Sequence, residues 1–110
     1  RGNAGQSAYS AAKAGLESMT TVWAKELGGF GIRSVAIAPG FMDTESTHVA
    51  VNEKILQEMK NQTPIKRLGK SEHIADTVKF VIENEHISGK TLEIDGGLVI
   101  WTTMNYIKYL

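Results

Sequence analysis

Tyr9 and Lys13 are the two residues of this sequence whose types and spacing suggest proton-transfer chemistry. They are four residues apart, and at about 3.6 residues per turn such positions share one face of an α-helix. A free tyrosine titrates at about pH 10, and a neighbouring ammonium lowers that value because it stabilises the phenolate. The pair therefore suggests a general acid and base. The alternative is a tyrosine at the edge of a core beside a solvated lysine, because this spacing also arises by chance.

A long helix over residues 7–27 is predicted to position this pair. Ser7 is its expected N-cap, and Gly28 and Gly29 are its expected end, because glycine takes the left-handed conformation at little cost. The second half carries an apolar stripe at spacings of three and four residues, which predicts a face that packs against a core. The stripe consists of Leu16, Met19, Val22, Trp23 and Leu27.

A short segment at residues 32–38 is apolar from Val35 onward and stops at Pro39 and Gly40. Such an unbroken apolar run predicts a strand of a parallel sheet that is buried on both faces. Ligands of these sheets bind beyond the carboxyl ends of the strands. The loop over residues 39–44 is therefore a candidate binding site.

The remaining sequence is predicted to form two more helices and one more strand. One helix is expected within residues 45–61, and another begins with Ser71 as its N-cap. Residues 90–95 alternate in hydrophobicity as a strand does. The first of these helices repeats apolar residues every four positions: Val51, Ile55 and Met59. Because two strands form a poor core by themselves, we expect part of the sheet to lie elsewhere.

Composition excludes several classes of function. The 110 residues include twelve basic and twelve acidic side chains, and this balance argues against a nucleic-acid partner. No apolar run is long enough to cross a bilayer, so no membrane partner is expected. The absence of cysteine excludes disulfides and fits a cytoplasmic protein. No metal is expected, because the three histidines lack chelating spacing: His48, His73 and His86. Arg1 in place of a methionine predicts a fragment of a longer protein.

Three segments, in this order and spacing, resemble the carboxyl-terminal half of a short-chain dehydrogenase/reductase, and most nearly its 3-oxoacyl-carrier-protein reductases. They are GNAGQSAYSAAK at residues 2–13, GIRSVAIAPGFMDT at 31–44 and ISGKTLEIDGG at 87–97. The resemblance implies an α/β fold, the C-terminal part of a doubly wound, Rossmann-like parallel sheet with flanking helices. Residues 1–97 would form this half-domain, and residues 98–110 an apolar C-terminal tail.

The resemblance also implies an activity, the NADP- or NAD-dependent reduction of a small-molecule carbonyl, such as a 3-oxoacyl thioester, to an alcohol. Tyr9 would be the acid/base, and Lys13 would assist it and hold the nicotinamide ribose. The family's Pro-Gly-x-x-x-Thr loop would contact the cofactor through Pro39, Gly40, Met42 and Thr44. Residues 47–60 would form a mobile substrate lid, and the enzyme would be a homodimer or homotetramer.

The sequence departs from the family pattern in ways that leave a second hypothesis open. It contains neither the glycine-rich dinucleotide loop nor the active-site serine, since Ser7 and Ser10 only flank the tyrosine. Phe30 stands where carrier-protein reductases often place a basic residue, which weakens the case for a carrier-protein partner. We therefore expect this fragment alone to be inactive. The alternative is an inert assembly or dimerisation module that uses Met19, Trp23 and the apolar tail.

Overall fold

The computed structural model describes the backbone of residues 6–98 and the side chains of Ala8 and residues 11–98. In chain order the elements are α1 (Gln6–Leu27), a 3-10 turn (Gly28–Phe30), β1 (Val35–Pro39), α2 (Glu45–Ala50), α3 (Glu53–Gln62), α4 (Ser71–Glu83) and β2 (Lys90–Ile94). The two strands pair in a parallel sheet, with helices flanking it. This confirms the predicted fold class. The predicted tail lies outside the described residues from residue 99 onward.

The described residues form two compact units. The first comprises residues 6–36 and 81–92, and the second comprises residues 37–80 and 93–98. Tyr9 and Lys13 belong to the first unit, whereas the loop over residues 39–44 and the helices α2 and α3 belong to the second. Within residues 6–98, none of the helices combines the length and the apolar character that a membrane span requires.

The helix α1 ends at Leu27 as predicted, but the left-handed residue that follows is not Gly28 or Gly29. Gly28 and Gly29 do not reverse the chain, because they continue as a 3-10 turn that follows directly on Leu27. The left-handed residue is Gly31, with φ of 77°, and its N–H donates to the Gly28 carbonyl at 3.0 Å. A 3-10 turn uses carbonyls that the end of an α-helix leaves without partners, which explains the extension. At the other end, Ser7 lies inside the helix and not at its N-cap.

Within the described residues most of the apolar stripe of α1 is exposed and does not pack against a core, so that prediction is wrong for this part of the chain. Leu16 is 53% exposed, Met19 46%, Val22 45% and Trp23 42%. The helix instead buries the polar Thr20, whose hydroxyl donates to the Leu16 carbonyl at 2.8 Å. A hydrophobic stripe at helical spacing shows that a face is suited to burial, but its partner is set by tertiary structure.

Arg33 joins the segment before β1 to the end of α4 within the first unit. Its Nη1 donates to the carbonyls of Val81 at 2.8 Å, Asn84 at 3.1 Å and Ile87 at 3.2 Å. Its Nη2 donates to the Ile82 carbonyl at 3.2 Å. The last carbonyls of a helix have no partner within the helix, and the planar guanidinium carries enough donors to satisfy several of them. One side chain thereby fixes where α4 ends.

The strand β1 begins at Val35, later than the predicted start at residue 32. Ser34 does not enter the ladder, because its N–H donates to the Ser88 hydroxyl and its carbonyl accepts from Gly89. The first four residues of β1 are half-buried and Pro39 is exposed. Burial on both faces was therefore a wrong prediction for this strand in the described structure.

The single helix expected within residues 45–61 is two helices, α2 and α3. The break occurs because Val51 and Asn52 are extended, and the Asn52 side chain accepts the Ile55 N–H at 3.0 Å as the N-cap of α3. The buried residue of α3 is Leu56, at 5% exposure, while Ile55 is exposed. The helix α3 stops at Gln62, one residue beyond the predicted range.

The helix α4 begins at Ser71, so Ser71 lies inside the helix and is not its N-cap. The residue that closes the first turn is His73, whose Nδ1 accepts the Lys70 N–H at 2.9 Å. A side chain in the first turn that bonds back to the preceding N–H satisfies a donor that the helix leaves without a partner.

Candidate functional site

Positions 9 and 13 both lie in the regular part of α1, one turn apart and on one face of the helix. Lys13 is half-buried. The side chain of Tyr9 lies outside the described part of the structure. The backbone thus has the spacing that the acid-base hypothesis requires, and the contact between phenol and ammonium stays a prediction.

The loop over residues 39–44 is anchored by main-chain hydrogen bonds. At its start the Gly40 N–H donates to the Ile94 carbonyl at 3.0 Å. At its centre Met42 forms a parallel bridge with Gly69. The two bonds of that bridge are Gly69 N–H to the Phe41 carbonyl at 2.9 Å and Asp43 N–H to the Gly69 carbonyl at 2.7 Å. The loop is therefore fixed at both its beginning and its middle by backbone groups.

Gly40 occupies a place where a side chain does not fit. A Cβ built at this position would lie 2.7 Å from both Cα and Cβ of Asp95. The glycine is thus required by the close approach of the segment after β2, independently of any cofactor. Gly40 therefore has a packing role, and the predicted binding role would be additional to it.

Gly40→Ala is expected to destabilise the protein by about 1–3 kcal/mol, because the new methyl group overlaps backbone atoms of Asp95 that cannot move away independently. The matched control is Gly15→Ala in α1, where a Cβ meets no atom within 4 Å. That change is expected to raise the free energy of unfolding by at most about 1 kcal/mol, since alanine is the better helix former. Urea denaturation of both variants measures the difference, and equal midpoints would contradict the packing role.

Thr44 is the N-cap of α2. Its hydroxyl oxygen accepts the Thr47 N–H at 3.2 Å and lies 3.0 Å from the Thr47 hydroxyl. Thr47 in turn donates its hydroxyl to the Met42 carbonyl at 2.8 Å. Met42 and Thr44, two of the predicted cofactor-binding residues, are therefore linked through Thr47, the first residue of the predicted substrate lid.

Asp43 and His48 form a second contact across the start of α2. The His48 Nε2 lies 2.6 Å from the Asp43 Oδ1, and both side chains are about half exposed. Exposed pairs of this kind contribute about 0–1 kcal/mol, so the contact orients the two side chains more than it stabilises the fold. A spacing of five residues carries no helical signal, so the sequence did not predict this contact.

A cavity of about 750 Å³ lies within the second unit. Its wall includes Arg67, His73, Asp76 and the segment Asp95 to Gly97. Among the predicted site residues whose side chains the structure describes, none lines this cavity.

Comparison with known proteins gives one family. A family model described as enoyl-(acyl carrier protein) reductase matches residues 1–99. The 3-oxoacyl-[acyl-carrier-protein] reductase FabG of Thermotoga maritima is 44% identical over 101 residues, which are 90% of this chain and 41% of that protein. The acetoacetyl-CoA reductase of Synechocystis sp. is 40% identical over 99 residues, 87% of this chain and 41% of that protein.

A mammalian relative extends the comparison. The (3R)-3-hydroxyacyl-CoA dehydrogenase of Canis lupus familiaris is 39% identical over 99 residues, which are 88% of this chain and 38% of that protein. The chain therefore spans about two fifths of the length of the curated relatives that it matches.

Proposed function

Since the chain belongs to the short-chain dehydrogenase/reductase family, we propose that it carries the catalytic residues of an NADP- or NAD-dependent oxidoreductase. The reaction is the reduction of a carbonyl to an alcohol, or its reverse. When bound, the nicotinamide supplies or accepts the hydride. The residues of this chain then have two tasks, to exchange the proton and to hold the reactants in place.

Tyr9 exchanges the proton. In the reducing direction its phenolic O–H donates to the carbonyl oxygen of the substrate, and in the oxidising direction the phenolate takes the proton of the alcohol. Lys13, one turn further along α1, brings a positive charge to the same face and stabilises the phenolate. The helical spacing of positions 9 and 13 supports this assignment.

The loop over residues 39–44 holds the nicotinamide. Pro39 and Gly40 end β1, and ligands of parallel sheets bind beyond this end of the strands. Met42 and Thr44 follow on a backbone that is fixed by hydrogen bonds, so polar groups of the loop are held ready for a ligand. Such preorganisation lowers the cost of binding.

The substrate class is a 3-oxoacyl thioester. The observation that carries this proposal is the 44% identity to a 3-oxoacyl-[acyl-carrier-protein] reductase across 90% of the chain. The acetoacetyl-CoA and 3-hydroxyacyl-CoA enzymes among the relatives are named for thioesters that carry a ketone or a hydroxyl group at carbon 3 of the acyl chain.

The test uses the full-length gene product that contains this chain. We expect it to bind NADPH or NADH, seen as a change in nicotinamide fluorescence, and to oxidise that dinucleotide when acetoacetyl-CoA is added. Binding without turnover on any 3-oxoacyl thioester contradicts the substrate class. Absence of binding contradicts the oxidoreductase proposal as a whole.

A second candidate function is assembly, and the exposed stripe of α1 favours it. Four large apolar side chains on one helix are between 42% and 53% exposed, and an exposed apolar surface of this kind is typical of an interface. As an assembly module the chain would associate with copies of itself through this face. Sedimentation equilibrium distinguishes the outcomes, since a protein that stays monomeric at high concentration contradicts assembly.

A further inference from the structure

The first turn of α4 is closed by a histidine. The Nδ1 atom of His73 accepts the N–H of Lys70, with 2.9 Å between the two nitrogen atoms. Lys70 directly precedes α4, which begins at Ser71, so His73 is the third residue of the helix. In a capping box the side chain at this third position reaches back to the N–H of the residue before the helix, and it usually belongs to glutamate or glutamine. His73 has this role here, with a side chain that titrates near neutral pH.

The bond to Lys70 requires a neutral imidazole. A ring nitrogen accepts a hydrogen bond only through its lone pair, whereas both nitrogen atoms of the protonated ring are donors. Since the Nδ1 of His73 accepts, the proton of the neutral ring is on Nε2. Protonation removes this bond and adds a positive charge at the end of the helix that already carries the positive partial charge. The first turn of α4 is thus weakened as the pH falls.

Charged side chains surround His73 on the neighbouring segments. The cavity wall that includes His73 also holds one guanidinium and three carboxylates, which belong to Arg67, Asp76, Glu93 and Asp95. Its charged neighbours along the chain are Lys70 and Glu72. Because carboxylates outnumber cations here, they attract an imidazolium that has left the cap, and Asp76 lies one turn further on the same face of α4. Each protonation state of His73 therefore has a partner of its own.

The cap is connected to the bridge that anchors the loop over residues 39–44. The carbonyl of Gly69 accepts the Asp43 N–H at 2.7 Å, and the next N–H of the chain is that of Lys70, which His73 binds. The Gly69 carbonyl and the Lys70 N–H belong to one peptide unit, and a peptide unit is planar and rigid. A rotation of this unit moves both hydrogen bonds together. The cap of α4 and the anchor of the loop are therefore two ends of the same rigid group.

We propose that His73 is a pH-responsive cap that couples its own protonation to the anchoring of the loop over residues 39–44. At high pH the neutral ring holds the Lys70 N–H, and this keeps the Gly69 carbonyl directed at Asp43. At low pH the protonated ring turns to the carboxylates of the cavity wall. The peptide unit is then held at its carbonyl alone, and its bond to Asp43 opens more often. This response does not depend on which ligand the loop binds.

Residue-resolved amide hydrogen exchange of the full-length gene product at pH 8 and pH 5 tests the proposal. In water imidazole titrates at about pH 6.5 and carboxylates at about pH 4, so histidines account for most of the change in side-chain charge of this cysteine-free chain. Protection factors, corrected for the intrinsic effect of pH on exchange, are compared for Lys70 and Asp43. Gly40 is the internal control, since its N–H donates to the Ile94 carbonyl at 3.0 Å and so does not involve this peptide unit.

The protection of the Lys70 and Asp43 amides is expected to fall about fivefold from pH 8 to pH 5, the effect of losing one cap hydrogen bond, while Gly40 keeps its protection. His73→Gln supplies an acceptor that does not titrate, so it is expected to abolish this response. His73→Phe has no acceptor and is expected to show the low protection at both pH values. The matched control is His86→Gln, which replaces another exposed histidine, beyond the end of α4, and should keep the response.

Equal protection of Lys70 at the two pH values in the unsubstituted protein would overturn the inference, and so would a response that persists in His73→Gln. A response at Lys70 with no change at Asp43 would contradict the coupling to the loop. If His73→Phe does not fold, the comparison of the unsubstituted protein with His73→Gln decides alone. None of these measurements uses the enzymatic activity, so failure of the proposed function and failure of this inference are distinguished.

Discussion

Turnover of a 3-oxoacyl thioester is expected to fall by about 10²- to 10⁴-fold in the Tyr9→Phe variant of the full-length gene product, the range typical of losing a general acid. The substitution removes one oxygen and keeps the aromatic ring, so the packing of α1 changes little. Binding of the dinucleotide is expected to stay within about twofold, because the phenolic proton is needed for the chemical step. Single-turnover rates and fluorescence titrations give the two quantities separately.

Lys13→Met provides the comparison within the same helix face. It removes the charge proposed to stabilise the phenolate and to hold the nicotinamide ribose, so turnover and binding should both fall. A Tyr9→Phe protein with normal turnover would show that the acid/base lies elsewhere. A loss of binding equal to the loss of turnover in Tyr9→Phe would instead indicate a structural role for the tyrosine.

Arg33→Met is expected to cost about 2–3 kcal/mol of folding stability. The side chain donates to four carbonyls, and the bonds to Val81 and Ile87 are partly buried. Those two carbonyls would lose a charged donor without full access to water, and this carries most of the cost. The hydrogen bonds to the carbonyls of Ile82 and Asn84 are exposed, so these two carbonyls can accept hydrogen bonds from water instead. Urea denaturation, followed by circular dichroism, measures the effect.

Two variants isolate the cause of this loss. Arg33→Lys keeps the charge but not the planar fork of donors, so it should recover less than half of the lost stability. Arg67→Met removes an exposed arginine from the second unit and should change stability by less than about 0.5 kcal/mol. If Arg33→Met lowered the folding stability as little as Arg67→Met, the four hydrogen bonds would not stabilise the end of α4.

The sequence predicted elements whose signals are local. The helix ending at Leu27 and the strand starting at Lys90 were predicted because the hydrophobic periodicity and composition of each segment are sufficient to identify it. The break at Val51 and Asn52 was missed, because apolar residues continue with helical spacing across it and only the asparagine cap interrupts them. The exposed stripe of α1 was misassigned for a related reason, since a stripe does not reveal which surface covers it.

The candidate site was predictable to a similar extent. Thr44 was selected because the sequence resembles the family's Pro-Gly-x-x-x-Thr loop, and its binding role stays a prediction. The hydrogen bonds of Thr47 and the contact between Asp43 and His48 were not found. They depend on the chain turning back at the cap of α2, which brings side chains three to five residues apart into hydrogen-bond range.

The bridge between Met42 and Gly69 has a consequence for how this protein can be altered. Since main-chain atoms hold the loop there, and every residue type except proline supplies the same N–H and C=O, the path of the loop does not depend on which side chains it carries. The side chains at positions 41 and 42 can therefore be replaced without removing the main-chain hydrogen bonds that hold the loop.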